Sequence, residues 1–512
     1  MSVDQLTLTD VLREHRVRWP EVVAVVDRHG PGSLTYPQLA DRVARLATWL
    51  ARNGAATGHR VLWLGQNSAA ILELMLACAQ TGAALCIANW RQSPEEMLFT
   101  LDDLDPRLIV WQHGAIGATV AEVRSRRNNS AETWLRYDAD TGVSEYEAAI
   151  AGQSPHDDLP GASPGQPLLL LYTAGFSGKP AASILTQRGI IAQSFCYAAQ
   201  REFDSSLRYL NATPLFHVAT LLDMCAAFLI GGRNIFVPQA SAGEMCELID
   251  REGITATFVL PPTIEQMLVE NADGRFNLKS LRSLPYNDAW NAMVTLDDSP
   301  WGKRPYGYGQ TETMGYTTFN AIGAPGIGAM GRPSPIIRMA FVDDAGEPVP
   351  DGQVGEIAVR GASVSPGYWN RPEMDAARYT DGWRRTGDLG RREADGSISF
   401  IGSKGRLIKS AAENIYPAEV ESCIRQLDGV ADVAVIGTPD PQWTQSVKAL
   451  VVLKPESAVT ADQVIRHCRA RIASYKKPRT VEFLAALPRV NGAMDYARLD
   501  ADHGGGGYPG TG

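Results

Sequence analysis

From Val22 onward, short β-branched runs and amphipathic stretches take turns, and few architectures accept that rhythm. Val22 to Asp27, Leu34 to Tyr36, Val61 to Leu64, Gly82 to Ala88 and Leu108 to Trp111 read as strands. Between them, Gln38 to Asn53 sets Leu39, Val43, Leu46 and Leu50 on one helical face, and Ser68 to Thr81 reads as a second helix. Strands spaced by helices pair in parallel, because a parallel crossover needs the length that a helix supplies. The expected fold class is therefore α/β, a mainly parallel sheet covered by helices. A short amphipathic helix, Leu6 to His15, precedes it. Gly189 to Phe203 reads as a further helix and Ile254 to Leu260 as a β-branched strand ending at Pro261-Pro262. From Arg124 to Pro167, polar residues, Gly and Pro dominate, and a loose surface segment is expected.

The apolar run Leu168 to Tyr172 breaks into Thr173, Ala174, Gly175, Phe176, Ser177, Gly178, Lys179 and Pro180. A core strand feeding a tight loop looks like this. Glycines let backbone N–H groups approach an anion, while hydroxyls and a lysine add donors and positive charge. The loop suits a phosphate; an ordinary Gly/Pro surface turn is the alternative. It is not a Walker loop, since two residues separate Gly175 from Gly178 where that motif has four.

At 512 residues the chain exceeds one simple core, so two or more domains are expected. Its 48 Lys and Arg against 57 Asp and Glu leave a net charge of −9, without the basic footprint of a nucleic-acid binder. Cys78, Cys86, Cys196, Cys225, Cys246, Cys423 and Cys468 are scattered, with no CxxC pair, and read as reduced core residues. The opening MSVDQLTLTD lacks an apolar signal core, and the longest apolar runs are interrupted by Glu73 and Asp223. A soluble cytoplasmic protein with no membrane span is expected.

Three further motifs follow the loop in order: Tyr308-Gly309-Gln310-Thr311-Glu312, Arg385-Thr386-Gly387-Asp388, and the run Glu413 to Glu421. In this order and spacing they resemble the adenylate-forming superfamily, which includes acyl- and aryl-CoA ligases, peptide-synthetase adenylation domains and firefly luciferase. The resemblance spans Leu6 to Leu499. It implies a large multi-sheet N-terminal domain over residues 1–402 and a small, mobile α+β C-terminal domain over 403–500, hinged at Ser403 to Arg406. Residues 501–512 form a Gly-rich tail.

The resemblance also implies a chemistry. A carboxylate attacks the α-phosphorus of ATP, pyrophosphate leaves, and a thiol, usually that of coenzyme A, displaces AMP. Such steps need charge stabilisation more than covalent help from protein. By the same resemblance, Thr173, Gly175, Ser177, Gly178 and Lys179 flank the β- and γ-phosphates. Tyr308 stacks on adenine within the Gly309-Gln310 motif, Thr311 donates to the α-phosphate, Glu312 and Thr173 hold Mg²⁺, and Asp388 accepts the ribose hydroxyls. The segment Asn211 to Val218 matches a second common motif. His217 would line the carboxylate pocket there; a satisfied core histidine is the alternative. Tyr286 and Asn287 stand where relatives carry an adenine-binding turn, and Arg406 stands near the junction arginine of relatives. Pocket candidates are Phe216, His217, Thr220, Leu222, Pro261, Tyr306 and Met314, which favour an aryl or medium-chain acid. A homo-oligomer is compatible with the sequence.

The chain also departs from the pattern. Ala181 replaces a lysine after the loop proline, and Ala411 and Ala412 replace two glycines of the coenzyme A tunnel. Leu487 to Ala493 ends in alanine where relatives place a lysine that grips the forming adenylate, with Arg489, Lys476 and Lys477 as candidate replacement cations. Two rivals to a coenzyme A ligase follow. One is an adenylating enzyme with a non-CoA acceptor such as an amine, including nitrite activation of the diazotase type. The other is a catalytically degenerate nucleotide-binding member.

Overall fold

The computed structural model describes residues 5–92, 94–127, 132–155, 162–173, 180–323, 329–404, 408–410, 413–415, 417–472, 474–490, 492–506 and 508. The chain divides into two compact units. The larger holds Met1–Gly323, Met330–Arg338 and Arg360–Arg384; the smaller holds Ala324–Ala329, Met339–Val359 and Arg385–Gly512.

Two sheets organise the larger unit. The first runs Thr133–Arg136, Leu108–Trp111, Arg60–Leu64, Ala84–Ile87, Pro167–Thr173 and Ala181–Thr186 in spatial order. Its ladders are parallel except the last, which is antiparallel. The second runs Ala256–Thr257, Arg208–Asn211, Arg233–Phe236, Val23–Asp27 and Gly32–Thr35, again parallel except for the final pair. The alternation in the sequence thus gives mainly parallel sheets. The helix Ala69–Thr81 is buried from Ala69 through Gln80, as expected of a helix apolar on every side. Ser68 caps its start by accepting from Ala70 N, and Gly82, at φ +81°, closes its end in the left-handed conformation. Helix Tyr36–Arg52 opens on a Thr35/Gln38 capping box and buries Leu39, Val43, Leu46 and Leu50.

Two local expectations fail. The stretch from Arg124 to Pro167 is not uniformly loose: Thr133–Arg136 is an edge strand beside Leu108–Trp111, and Glu145–Ala151 is a helix capped by Ser144. Four residues of strand are too few to print a period, whereas Ser144 before Glu145 and Glu147 is a legible helix start. The expected strand Ile254 to Leu260 contracts to Ala256–Thr257, and Pro261 and Pro262 open the helix Pro261–Glu270. Proline suits a first helical turn, whose N–H groups have no intrahelical partner.

The strands Ile337–Val342, Gly355–Gly361, Trp383–Arg392 and Ile398–Ser403, most of whose residues belong to the smaller unit, form one sheet. A second sheet contains Glu413–Ile415, Ile408–Ser410, Thr444–Leu453 and Val430–Asp440, with Thr480–Phe483 parallel to Thr444–Leu453. Helices Pro417–Arg425 and Ala461–Arg471 cover it through a core of Val420, Ile424, Val433, Val435, Val451 and Val464. All seven cysteines are buried and unpaired. Among the described residues, no helix is long and apolar enough to cross a membrane.

Candidate active site

Thr173 ends its strand opposite Ala181, and its hydroxyl donates to the Ala181 carbonyl at 3.3 Å. Antiparallel pairing therefore fixes both ends of the glycine-containing loop. Gly175, Ser177, Gly178 and Lys179 lie outside the described residues.

The Tyr308–Glu312 motif forms a tight reversal. Gly309–Gln310 pairs with Gly315–Tyr316, and Thr311–Thr313 makes a single 3₁₀ turn between them. The Thr313 hydroxyl donates to the carbonyls of Gln310 (2.9 Å) and Gly315 (2.7 Å) and accepts from Gln310 N–H. A Cβ on Gly309 would lie 2.0 Å from the Gly315 carbonyl oxygen, so only glycine fits there. Tyr308 is buried, its N–H donating to the Thr318 hydroxyl at 2.8 Å. Thr311 lines a groove with Gly309, Gln310 and Gly315, walled on the other side by Val218 and Ala219.

Glu312 is buried with Arg384, which is 1 % exposed. Arg384 Nη2 lies 3.2 Å from Glu312 Oε1 and donates to the Tyr368 hydroxyl at 2.8 Å; Nη1 donates to Gln310 Oε1 at 2.8 Å. Tyr368 in turn donates to Glu312 Oε1. Burial pushes the Tyr368 phenol above its ordinary pKa, so it remains a donor. Neither Arg384 nor Tyr368 was among the candidates. Two successive arginines on a strand do carry a signal, because alternation turns one of them inward.

In the smaller unit, Asp388 sits half-buried on Trp383–Arg392 opposite Ser403, its N–H donating to the Thr386 hydroxyl at 3.2 Å. Glu356 holds this segment in place. It accepts from Arg385 (2.6 and 2.9 Å), from Lys404 (2.9 Å) and from Gly387 N–H (3.0 Å). Burial alone would raise its pKa, but the bonds from Lys404 and Arg385 prevail and hold it below the usual carboxylate range. Arg406 lies outside the described residues.

His217 precedes the helix Val218–Leu229, exposed, its ring centroid 4.4 Å from that of Phe216. Partial desolvation, then the charge of Arg91, lower its pKa and keep the imidazole neutral near pH 7. Ala219 and Asp223 of the helix Val218–Leu229 line a cavity of about 160 Å³, whose lining does not include His217. Of the expected pocket residues, Pro261 and Tyr306 line this cavity. Thr220, Leu222 and Met314 are instead core residues, facing inward from the helix Val218–Leu229 and from the reversal. Tyr286 lines the same cavity, and Asn287 Oδ1 accepts from Trp290 N–H to cap the helix Asp288–Met293. The expected replacement cations are engaged: Lys476 bonds Glu419 (2.7 and 2.8 Å), Arg489 bonds Asp432 (2.6 Å) and Lys477 bonds the Ser474 carbonyl (2.8 Å). Ala493 is exposed on a two-residue strand paired with Arg489–Val490.

Among the described residues no three His, Cys, Asp or Glu side chains cluster as a metal cage. Mg²⁺ does not need one, since one or two carboxylates plus phosphate oxygens and water complete its octahedron. The Glu312 carboxylate and the Thr173 hydroxyl, both hard oxygen donors, fit that requirement.

A family model for AMP-binding enzymes matches residues 12–369, and one for the AMP-binding enzyme C-terminal domain matches residues 419–492. The chain belongs to the AMP-binding, adenylate-forming family. A feruloyl-CoA synthase of Amycolatopsis sp is 34 % identical over 479 residues, covering 92 % of this chain and 93 % of that protein. An indoleacetate–CoA ligase of Aromatoleum aromaticum is 33 % identical over 496 residues, covering 93 % and 96 %. A solved fatty acyl CoA synthetase of Mycobacterium tuberculosis superposes with a TM-score of 0.75 at 26 % identity, covering 97 % of this chain and 98 % of that one. The mixed α/β architecture with a larger N-terminal and a smaller C-terminal part is that of adenylate-forming enzymes.

Proposed function

We propose that this chain is an ATP-dependent acid–CoA ligase. It activates a carboxylate as an acyl-adenylate with release of pyrophosphate, then transfers the acyl group to the coenzyme A thiol with release of AMP. One observation carries the reading: the groove on Gly309, Gln310 and Thr311 shares Ala219 and Tyr316 with the aromatic cavity behind it. An acid seated across that junction would keep its carboxylate beside Thr311 and its apolar body in the cavity. Family membership and relatives named for feruloyl and indoleacetate substrates support the chemistry.

In this reading the Thr311 hydroxyl donates to the α-phosphate, and the Tyr308 ring faces adenine alongside the Tyr286–Asn287 turn. Asp388 accepts the ribose hydroxyls, and neutral His217 flanks the acid. The loop from Thr173 through Gly175, Ser177, Gly178 and Lys179 cradles the outer phosphates. Glu312 and Thr173 would hold Mg²⁺, which when bound neutralises phosphate charge. Arg384 and Tyr368 fix the Glu312 carboxylate before any ligand arrives, so no reorganisation is needed at the moment of reaction.

ATP–pyrophosphate exchange across a panel of aryl and fatty acids, followed by acid-dependent coenzyme A consumption, tests the proposal. Exchange with at least one acid, and thioester formed from it, is the expected result. The Ala411-Ala412 pair favours one second reading, transfer to an amine; pyrophosphate release that leaves coenzyme A unconsumed would establish it.

A further inference from the structure

The cavity behind Thr311 is walled by aromatic rings, among them Tyr197, Phe258, Trp301, Tyr306 and Tyr316. Tyr197 stacks on Tyr316 at 5.8 Å and 15°, and Trp301 meets both edge-on at 5.6 and 5.7 Å. Tyr306 is held at φ +69°, where a side chain other than glycine is strained. Its backbone is clamped there by Asn320, whose N–H donates to the Tyr306 carbonyl at 2.9 Å. At about 160 Å³ the cavity is roughly ten times what one water needs, so it is sized for an organic group.

Two charged pairs interrupt this aromatic wall: Arg282–Asp297, 2.9 Å apart with Arg282 38 % exposed, and a more deeply buried pair. Arg201 and Asp223 both line the cavity, with Nη1 to Oδ1 at 3.5 Å and their side chains 15 % and 4 % exposed. The Tyr197 hydroxyl bridges them, accepting from Arg201 at 2.6 Å and donating to Asp223 Oδ1 at 2.8 Å. The guanidinium lies over the rings of Phe203 (4.5 Å), Trp301 (5.0 Å) and Tyr197 (5.5 Å). Its Nε–H is buried and has no hydrogen-bond partner among the described residues.

Burying an ion pair where hydrophobic residues would pack as well gives no stability advantage. A buried donor without an acceptor is a further cost that the fold carries. The pair is also neutral as a unit, so a second carboxylate or a sulfonate would find no net countercharge. A hydroxyl suits it better. Its oxygen accepts from the guanidinium, and its proton reaches a carboxylate that has about four acceptor positions. Aromatic walls select a ring to carry that hydroxyl.

We infer that the acid activated by this chain is a hydroxylated aryl carboxylic acid, whose hydroxyl, at the ring end away from the carboxylate, is read by Arg201 and Asp223. This rests on the acid-activating reading of the same site and names its substrate class. Arg201 and Asp223 are then specificity determinants, remote from the bond-making atoms.

Matched pairs test it: 4-hydroxycinnamate against cinnamate, and 4-hydroxybenzoate against benzoate, with octanoate as an aliphatic control. Each is measured by pyrophosphate release and, separately, by equilibrium binding calorimetry, in the chain as it is and in the Ala493→Lys background. A site built to bond a hydroxyl discriminates strongly against the analogue lacking it, so a preference of about 100-fold in kcat/KM is expected for at least one hydroxylated member. Arg201→Met/Asp223→Leu removes both charges together and should erase that preference while leaving ATP affinity unchanged. Asp223→Asn, nearly isosteric, should weaken it about tenfold. Equal use of hydroxylated and unsubstituted acids, a preference for octanoate, or a preference that survives the double substitution would overturn the inference. If no acid releases pyrophosphate, the ligase reading falls, and the calorimetric pairs still decide the pocket: tighter binding of the hydroxylated acid, lost in Asp223→Asn, upholds it, and equal or absent binding rejects it.

Discussion

Replacing Arg384 with methionine would leave the Glu312 carboxylate buried without its cation. At 3.2 Å and an effective dielectric of about 20, the pair's attraction is roughly 5 kcal/mol. Most of that offsets desolvation of the two ions, and removing one partner of a buried pair typically costs about 3–5 kcal/mol. The Tyr368 hydroxyl and the Gln310 side-chain Oε1, which also lose Arg384, add to the loss. Glu312→Met should cost a similar amount, because it strands the guanidinium instead. The double variant Arg384→Met/Glu312→Met removes both charges and should cost only about 1–2 kcal/mol, for the polar groups left behind. The cycle then closes with a coupling of about 3 kcal/mol or more, beyond the few tenths expected for independent sites. Urea unfolding followed by tryptophan fluorescence reads all four proteins. An Arg384→Met variant within about 1 kcal/mol of the parent, or two single effects that simply add, would falsify the claim that this pair is held as a unit.

Ala493→Lys should raise ATP–pyrophosphate exchange about 10²- to 10³-fold by restoring a cation to the forming adenylate; an unchanged rate means adenylation in this chain does not depend on position 493. Glu356 titrates below its unfolded value in the fold, so the unfolded chain binds the extra proton first. Its stabilising contribution is full above pH 4.5 and is lost as pH falls through the folded pKa; Glu356→Gln should flatten that acid limb in urea midpoints taken between pH 3 and pH 6, and an unaltered slope counts against the assignment. Gly309→Ala forces a Cβ against the Gly315 carbonyl 2.0 Å away and should abolish nucleotide binding by calorimetry while the smaller unit keeps its structure; retained affinity would show that the reversal relaxes.

The parallel sheets were legible because apolar runs such as Arg60–Leu64 and Ala84–Ile87 are buried on both faces, which writes continuous hydrophobic stretches into the sequence. The Tyr308–Glu312 reversal was legible as a motif, yet its geometry was not, since it depends on Gly315 and Thr313 closing around Gly309. Neither Arg384 nor Glu356 was expected to anchor an ion pair, for a shared reason. Each is a charged residue made structural by a partner distant in sequence, and no periodicity announces such a pairing. Leu222 and Met314 were misread in the other direction, because proximity in sequence to His217 and Glu312 does not say which way a side chain turns. The edge strand Thr133–Arg136 was too short to declare itself.

The seven thiols have a consequence outside catalysis. Oxidants and alkylating reagents attack the thiolate, and burial pushes the Cys246 pKa up to about 11 and those of Cys225 and Cys468 up to about 12. At pH 7 a thiol of pKa 12 is ionised in about one molecule in 10⁵. Toward peroxide or iodoacetamide the folded chain should therefore behave as if it had no cysteine, and lose that immunity as it opens. The molecule carries its own clock for unfolding: the rate at which its thiols become alkylated under native conditions reports how often the interior meets solvent.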